Sequence, residues 1–311
     1  MIHSLSFDIE EHFQVAAFDC PARRRHWDVL HSRVEQSTET ILSLLEAVNV
    51  QATMFILGWV AERHGGLVKR LANAGHEIAC HGYSHELIAA QSPAKFREDI
   101  RTAKKILEDL TGKAVLGYRA PTFSITKETK WALPILVEEG YLYDSSIVPA
   151  VHDSYGIPDA SPDIHSLATS SGVLWEVPPS TYKIGWMRVP IGGGGYFRLL
   201  PYRLFKWFLT QVENEGMPLV MYFHPWELDP DQPKMKGSLL SGFRHYVNLQ
   251  KTQRRLAALL QDFQFAPICT ALPSFPSLIG EDSNHSQTHQ AIDSLTNPSC
   301  SGNSAISHFQ K

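Results

Sequence analysis

The chain has few cysteines and no arrangement that would pair them. Cys20, Cys80, Cys269 and Cys300 are far apart and form no C-x-x-C motif, which argues against a disulfide framework or a four-cysteine zinc site. Reduced, mostly buried thiols are expected instead. No apolar run approaches the roughly 20 residues of a membrane span. Met1–Asp8 (MIHSLSFD) lacks a basic segment followed by an apolar one, so it does not read as a signal peptide. A cytoplasmic protein is expected, at most peripheral to the inner membrane, with no integral membrane segment. There is no excess of positive charge, with 28 Lys and Arg against 32 Asp and Glu for a net −4. No global field would therefore attract nucleic acid. No G-x-G-x-x-G follows the first apolar run, no phosphate loop of the G-x-x-x-x-G-K type is present, and no internal repeat is visible.

What is present is ample core material: 43% of the 311 residues are hydrophobic and 19% charged, which excludes disorder as the main state. Short β-like runs alternate with helical periodicities. Strands are expected at Ile2–Asp8, Ala52–Leu57, His76–Cys80, Val115–Arg119, Tyr141–Asp144, Val173–Val177, Pro218–Phe223 and Phe263–Ile268. Helices are expected between them. One is capped by Ser37 and carries Ile41, Leu44, Leu45 and Val48; another is opened by Ser92-Pro93 and closed by Gly112. About eight strands alternating with helices argue for an α/β fold with a parallel sheet. Without a nucleotide fingerprint, a barrel of roughly 250 residues gains on an open doubly wound sheet. Residues 151–172, rich in Pro, Asp and Ser, read as a long loop, and the glycine run Gly192–Gly195 does not open a convincing helix. Residues 281–311 hold fifteen Ser, Thr, Asn or Gln and one aromatic, Phe309; they are expected to form a disordered tail after a barrel domain of residues 1–280.

Asp8, His81, Arg119, Asp144 and His224 each fall at, or one residue past, the C-terminal end of an expected strand. In a parallel barrel those ends share one face, where catalytic groups sit. His81 and His85 (HGYSH) are four apart, so a helical turn after the strand would let both bind one metal. The first strand offers Asp8, Glu10 and Glu11 (FDIEEHF). Two histidines and one carboxylate with open positions make a hydrolytic metal site, and a second carboxylate could act as base. Arg119 could hold that base ionised, and His224, opposite the metal, could protonate a leaving amine.

In order, FDIEEHFQV, GHEIACHGYSHE, GYRAPTFS, YDSSIVP, GGGGYFR and FHPWELDP resemble the blocks of the NodB-type polysaccharide deacetylases (carbohydrate esterase family 4), and within them an exopolysaccharide- and exosortase-associated subgroup. The resemblance covers about residues 2–275, with a subgroup-specific part at about 185–280. It implies a distorted (β/α), TIM-like barrel, one divalent metal, usually zinc, and hydrolysis of N-acetyl groups from an N-acetylated oligosaccharide or polysaccharide. By position, Asp8 matches the general base, His81 and His85 the metal ligands, Arg119 the base-orienting arginine and His224 the general acid. The usual Asp-Asp pair is replaced by Asp8-Ile9-Glu10-Glu11, leaving Glu10 as the carboxylate ligand with Glu11 as its rival. Gly82 stands where a Ser or Thr usually follows the first histidine. The block that usually tunes the acid histidine is not evident, and Asp144 is the nearest candidate. Two other readings are a small cyclic amide or ureide as substrate, as in allantoinase-like relatives, and a non-catalytic glycan-binding barrel.

Overall fold

The computed structural model describes residues 1–152 and 155–272. Among them the strands are β1 (His3–Ile9), β2 (Thr53–Ile56), β3 (Glu77–Cys80), β4 (Gly117–Tyr118), β5 (Tyr143–Asp144), β6 (His165–Thr169), β7 (Gly172–Glu176), β8 (Thr181–Ile184), β9 (Met187–Pro190), β10 (Val220–Phe223) and β11 (Phe265–Ala266). The main sheet runs β10-β1-β2-β3-β4-β5-β7-β6, with β11 pairing the start of β1. All of its pairings are parallel except β6–β7. Between β7 and β10 the ring is completed by irregular backbone. Ser180 N donates to Val220 O (3.0 Å), and Tyr222 N donates to Gly192 O (2.8 Å). Backbone groups of an otherwise open edge are satisfied that way, and the result is a distorted (β/α) barrel.

The barrel is apolar outside and mixes polar and aromatic side chains inside. Along β1, Leu5, Phe7 and Ile9 join the hydrophobic core beneath the helices, whereas Ser6 and Asp8 point to Arg119 within the barrel. This is the period-2 alternation of a strand. Helices cover the outer face with stripes spaced for it. Phe96, Ile100, Ala103 and Leu107 are buried on helix Pro93–Thr111, and Leu256, Leu259 and Leu260 on helix Leu249–Asp262. The first of these is bounded as its sequence dictates. Ser92 Oγ accepts from Lys95 N, Pro93 takes the first turn, and Gly112 ends the helix in a left-handed conformation at φ +67°.

Three expectations are corrected. The helix carrying Ile41 and Leu45 spans Val34–Ala47, so Ser37 lies inside it, donating from Oγ to Arg33 O (2.8 Å). Its start is set from outside the segment: the Glu11 carboxylate accepts from Arg33 N (3.0 Å) and from Ser32 Oγ, a contact that local spacing does not encode. Residues 151–172 are not a continuous loop, because His165–Thr169 pairs antiparallel with β7. The glycine run leads into a six-residue helix, Gly194–Leu199. Its glycines let backbone pass close by, since a Cβ on Gly193 would meet the Tyr222 hydroxyl at 2.3 Å and one on Gly194 would meet Glu227 Oε2 at 1.7 Å. Among the described cysteines, Cys80 is buried, Cys269 half-buried and Cys20 exposed, all as free thiols. The proposed tail at 281–311 lies outside the described residues, which end at Leu272.

Phe96 is fully buried and meets Tyr118 and Trp131 edge-on, at centroid distances of 5.9 and 5.7 Å. Phe96→Ala is expected to cost about 3–5 kcal/mol of unfolding free energy through lost burial and a residual cavity. Urea denaturation checks this; a loss below about 1 kcal/mol would mean this helix does not pack on the barrel through Phe96.

Candidate active site

The C-terminal ends of the parallel strands bring Asp8, Glu10, His81, Arg119 and His224 to one end of the barrel. Arg119, directly after β4, is fully buried and makes four hydrogen bonds. Nη1 donates to Asp8 Oδ1 (2.6 Å) and Ser6 Oγ (2.9 Å), Nε to Ser145 O (3.1 Å) and Nη2 to Ser145 Oγ (2.9 Å). Its guanidinium carbon lies 4.1 Å from the ring centroid of Phe55, so aromatic faces as well as oxygens surround the charge. Asp8 is thereby oriented by a charge-assisted bond, with its second oxygen 3.8 Å from His224 Nε2.

Glu10 follows β1 and is buried. Its Oε1 accepts from Trp226 Nε1 (3.0 Å), and its Oε2 lies 2.8 Å from His85 Nε2 and 3.9 Å from His81 Nε2. Burial works against ionising Glu10, but the imidazoles of His85, His224 and His81 outweigh it and hold the carboxyl near 2. His81 Nδ1 faces Arg119 O at 2.8 Å. A carbonyl can only accept, so Nδ1 carries the proton and Nε2 presents its lone pair toward Glu10. Burial pushes His81 down to about 4, so it stays neutral. The two histidines do not share a helical face. The chain bends instead through left-handed conformations at Gly82 (φ +74°) and His85 (φ +52°). The first suits glycine, since a Cβ there would also meet Asp99 Oδ2 at 2.9 Å. Arg24, in the segment after β1, fastens this bend by donating to Ser84 O (2.8 Å) and His85 O (2.9 Å).

One ligand atom from each of Glu10, His81 and His85 lies within 4.8 Å of the others, all three residues buried. Glu10 Oε2 has no hydrogen-bond partner of good geometry, although His85 Nε2 lies 2.8 Å away. A carboxylate oxygen without such a partner, facing two imidazole nitrogens, suits a divalent cation. Glu11, the rival, faces the start of helix Val34–Ala47 and is not part of this cluster.

His224 follows β10. Burial lowers its affinity for a proton, but the hydrogen bond to Glu227 and the charges of Glu10, Glu227 and Asp8 reverse this and lift it to about 9. Nδ1 lies 2.9 Å from Glu227 Oε1, and Glu227 Oε2 accepts from Arg198 Nε (2.8 Å). The ring stacks on Trp226 at 4.8 Å, which in turn stacks on His245 at 4.2 Å. Asp144 is not the partner of this histidine. It lies at the end of β5, in register with Glu176 of β7, and accepts from Ser146 Oγ (2.5 Å), whose oxygen accepts from Ala120 N (2.8 Å). Burial raises both carboxyls, and Glu176 is raised further by the neighbouring Asp144 charge; Glu176 keeps its proton and bonds Asp144. The partner that position-matching could not supply is three residues from the histidine, in H-P-W-E. Glu227 also accepts from His224 N (3.1 Å), a local capping signal that was readable as such. Arg198 has no signal beyond its place in the GGGGYFR block.

These features define a class: a distorted (β/α) barrel with an Asp–Arg pair, a Glu-His-His donor set and a carboxylate-held histidine at the ends of its strands. Residues 21–136 match the family model described as polysaccharide deacetylase. Residues 145–272 match a second model, described as a domain of unknown function, DUF3473. Asp8 and Glu10 precede both matches. The chain is 32% identical over 108 residues to a peptidoglycan deacetylase of Helicobacter pylori and 41% identical over 96 residues to a peptidoglycan-N-acetylglucosamine deacetylase of Bacillus cereus. These stretches are 35% and 30% of this chain and 36% and 35% of those proteins, so only about a third of each relative is spanned. A solved structure described as a polysaccharide deacetylase from Mycobacterium smegmatis superposes with a TM-score of 0.59 at 20% identity, covering 97% of this chain and 94% of that one. Puue allantoinase superposes at 0.52 and 17% identity, over 85% of each chain. Both likenesses show the fold. No helix among the described residues is long and apolar enough to cross a membrane.

His224 is raised above 6.5, so its contribution to stability is complete below pH 6.5 and is lost as pH rises through about 9. Glu10 is depressed from 4.5, so its contribution holds above 4.5 and is lost as pH falls through about 2. Glu227→Gln is expected to bring the His224 ring from about 9 toward the 6.5 of a free imidazole, as followed by NMR titration of the ring protons. A ring that still titrates near 9 in this variant would exclude Glu227 as its partner.

Proposed function

We propose that this protein is a hydrolase that removes N-acetyl groups from amino sugars of a glycan, with Asp8 as general base and His224 as general acid. One observation carries the reading. A carboxylate paired with a buried arginine and an imidazole held protonated by a buried carboxylate face each other at 3.8 Å, beside a Glu-His-His donor set. Amide hydrolysis needs this division of labour, with one group taking a proton from water and another giving one to the departing amine.

Glu10, His81 and His85 would hold the divalent cation, for which zinc suits the donor set. When bound, the cation supplies Lewis acidity toward the acetamide carbonyl and acidifies water. The chain's own groups do the rest. Asp8, oriented by Arg119, accepts the water proton on the oxygen facing the site. The Arg119 carbonyl fixes the His81 tautomer, and the Arg24 bonds fix the path of the backbone through His85. Protonated at Nε2 and anchored at Nδ1 by Glu227, His224 gives its proton to the amine nitrogen as the C–N bond breaks. Trp226 and His245 stacked behind it keep the ring in one orientation and exclude water from that side.

The substrate is proposed to be a bacterial exopolysaccharide or its precursor. In support, YDSSIVP, GGGGYFR and FHPWELDP lie at 143–149, 192–198 and 223–230, chiefly in the segment that matches DUF3473 rather than the deacetylase model. That segment supplies His224, Glu227 and Arg198, and we read it as part of the same barrel domain, 1–280.

Zinc-reconstituted protein is expected to release acetate from N-acetylglucosamine oligosaccharides, and chelation should abolish release until zinc is returned. Asp8→Asn should lower the rate about 10²–10⁴-fold with fold retained. The rate should be bell-shaped in pH, and in Glu227→Gln the alkaline limb should move to lower pH. Acetate release by Asp8→Asn at the wild-type rate would overturn the assignment of the base. No release by wild type with zinc bound would overturn this substrate class.

A further inference from the structure

Helix Leu239–Tyr246 has two faces with different tasks. Its buried residue is His245, which stacks on Trp226 behind the candidate acid His224 and bonds Gln232 Oε1 through Nε2 (2.8 Å). Its outer side presents Leu239, Leu240 and Phe243 to solvent, 96%, 57% and 57% exposed. Soluble surfaces seldom expose two leucines and a phenylalanine within one helical turn and a half, and nothing among the described residues covers these three.

The chain that carries them is basic, apart from the exposed Asp231 three residues before Lys234. Between Asp231 and Asp262 the chain has no acidic residue but six basic ones: Lys234, Lys236, Arg244, Lys251, Arg254 and Arg255, in a protein of net charge −4. Lys234 and Lys236 are exposed directly before the helix. The Arg23–Arg25 run is attached to the same edge, since Arg23 Nη2 donates to Lys236 O (3.2 Å) and Phe18 packs on His245 and Tyr246 at 5.0 and 6.1 Å. Arg25 is exposed there. Aliphatic and aromatic side chains projecting from a short helix, rimmed by lysine and arginine, fit the boundary of an anionic bilayer. The apolar groups enter the acyl region and the cations stay at the headgroups. A neutral glycan would be met by several flat aromatic faces, whereas this face offers one, Phe243, beside two leucines.

We infer that the Leu239–Tyr246 helix, with Lys234, Lys236 and Arg25, docks the protein on the surface of an anionic lipid membrane. The same helix walls the candidate active site, so docking holds the site's rim at the lipid surface, where a membrane-attached glycan would be presented. The docking claim rests on exposed residues alone and stands whether or not the proposed deacetylation is correct.

The test is co-sedimentation of the full chain with vesicles of phosphatidylcholine alone and of phosphatidylcholine mixed with phosphatidylglycerol. Wild type is expected to partition about tenfold or more better onto the anionic vesicles, and less as salt is raised. The triple variant Leu239→Ser, Leu240→Ser, Phe243→Ser and the double variant Lys234→Glu, Lys236→Glu should each lose about tenfold or more of that partition. All five side chains are exposed, so thermal melting and acetate release from soluble oligosaccharides should match wild type. Failure of wild type to bind anionic vesicles would overturn the inference, as would equal binding to both vesicle types or unchanged binding by both variants. Self-association that the triple variant abolishes, without vesicle binding, would assign the face to a second copy of this chain and overturn it too.

Discussion

The buried ion pair between Arg119 and Asp8 is the interaction on which the rest of the structure turns. A fully buried guanidinium is tolerable only if its charge is neutralised and its donors are occupied. Here that requirement engages several strands at once. Ser6 and Asp8 on β1 and Ser145 just past β5 supply oxygens, while Phe55 of β2 packs against the cation's face. The Arg119 carbonyl fixes the tautomer of His81. One residue thus orients the candidate base and, through its backbone, one member of the donor set. Loosening it would disturb both.

A second constraint operates at the other side of the site and has the same logic with the charges exchanged. His224 is held as a cation by Glu227, and Glu227 is held as an anion by Arg198. The backbone passes Gly194 so close to Glu227 that no larger residue would fit without a shift. The candidate base and acid are each the inner member of a buried chain of alternating charge, and the chains meet at the 3.8 Å separation between Asp8 and His224. Groups placed this way need little reorganisation when a proton moves, which is the usual source of electrostatic advantage in a buried site.

The legibility of the fold was uneven, for physical reasons. Strands buried on both faces and helices with long apolar stripes were readable, because core-forming periodicity is local. The Ser92-Pro93 start and Gly112 end of one helix followed from side-chain chemistry alone. The start of helix Val34–Ala47 did not, because its cap is Glu11, more than twenty residues away. Strand β6 gives little strand signal because it is half-exposed and polar and, among the described residues, pairs only with β7. The hairpin β8–β9 went unread for the same lack of a continuous apolar signal.

For the site, order along the chain was enough to place Asp8, His81, Arg119 and His224 at strand ends, since a parallel barrel sends all such ends to one face. It favours Glu10 over Glu11 only through the family resemblance, and it does not identify the partner of His224. Those outcomes depend on direction rather than position. Glu10 turns into the barrel mouth and Glu11 out toward the start of a helix. Asp144 reaches a strand end as expected, but its register with Glu176 makes it half of a proton-sharing pair. The sequence by itself determined the barrel, its polar face and the residue types available there. Only the tertiary structure decided which carboxylate meets which imidazole, because side-chain direction at a bend is set by contacts between segments distant along the chain.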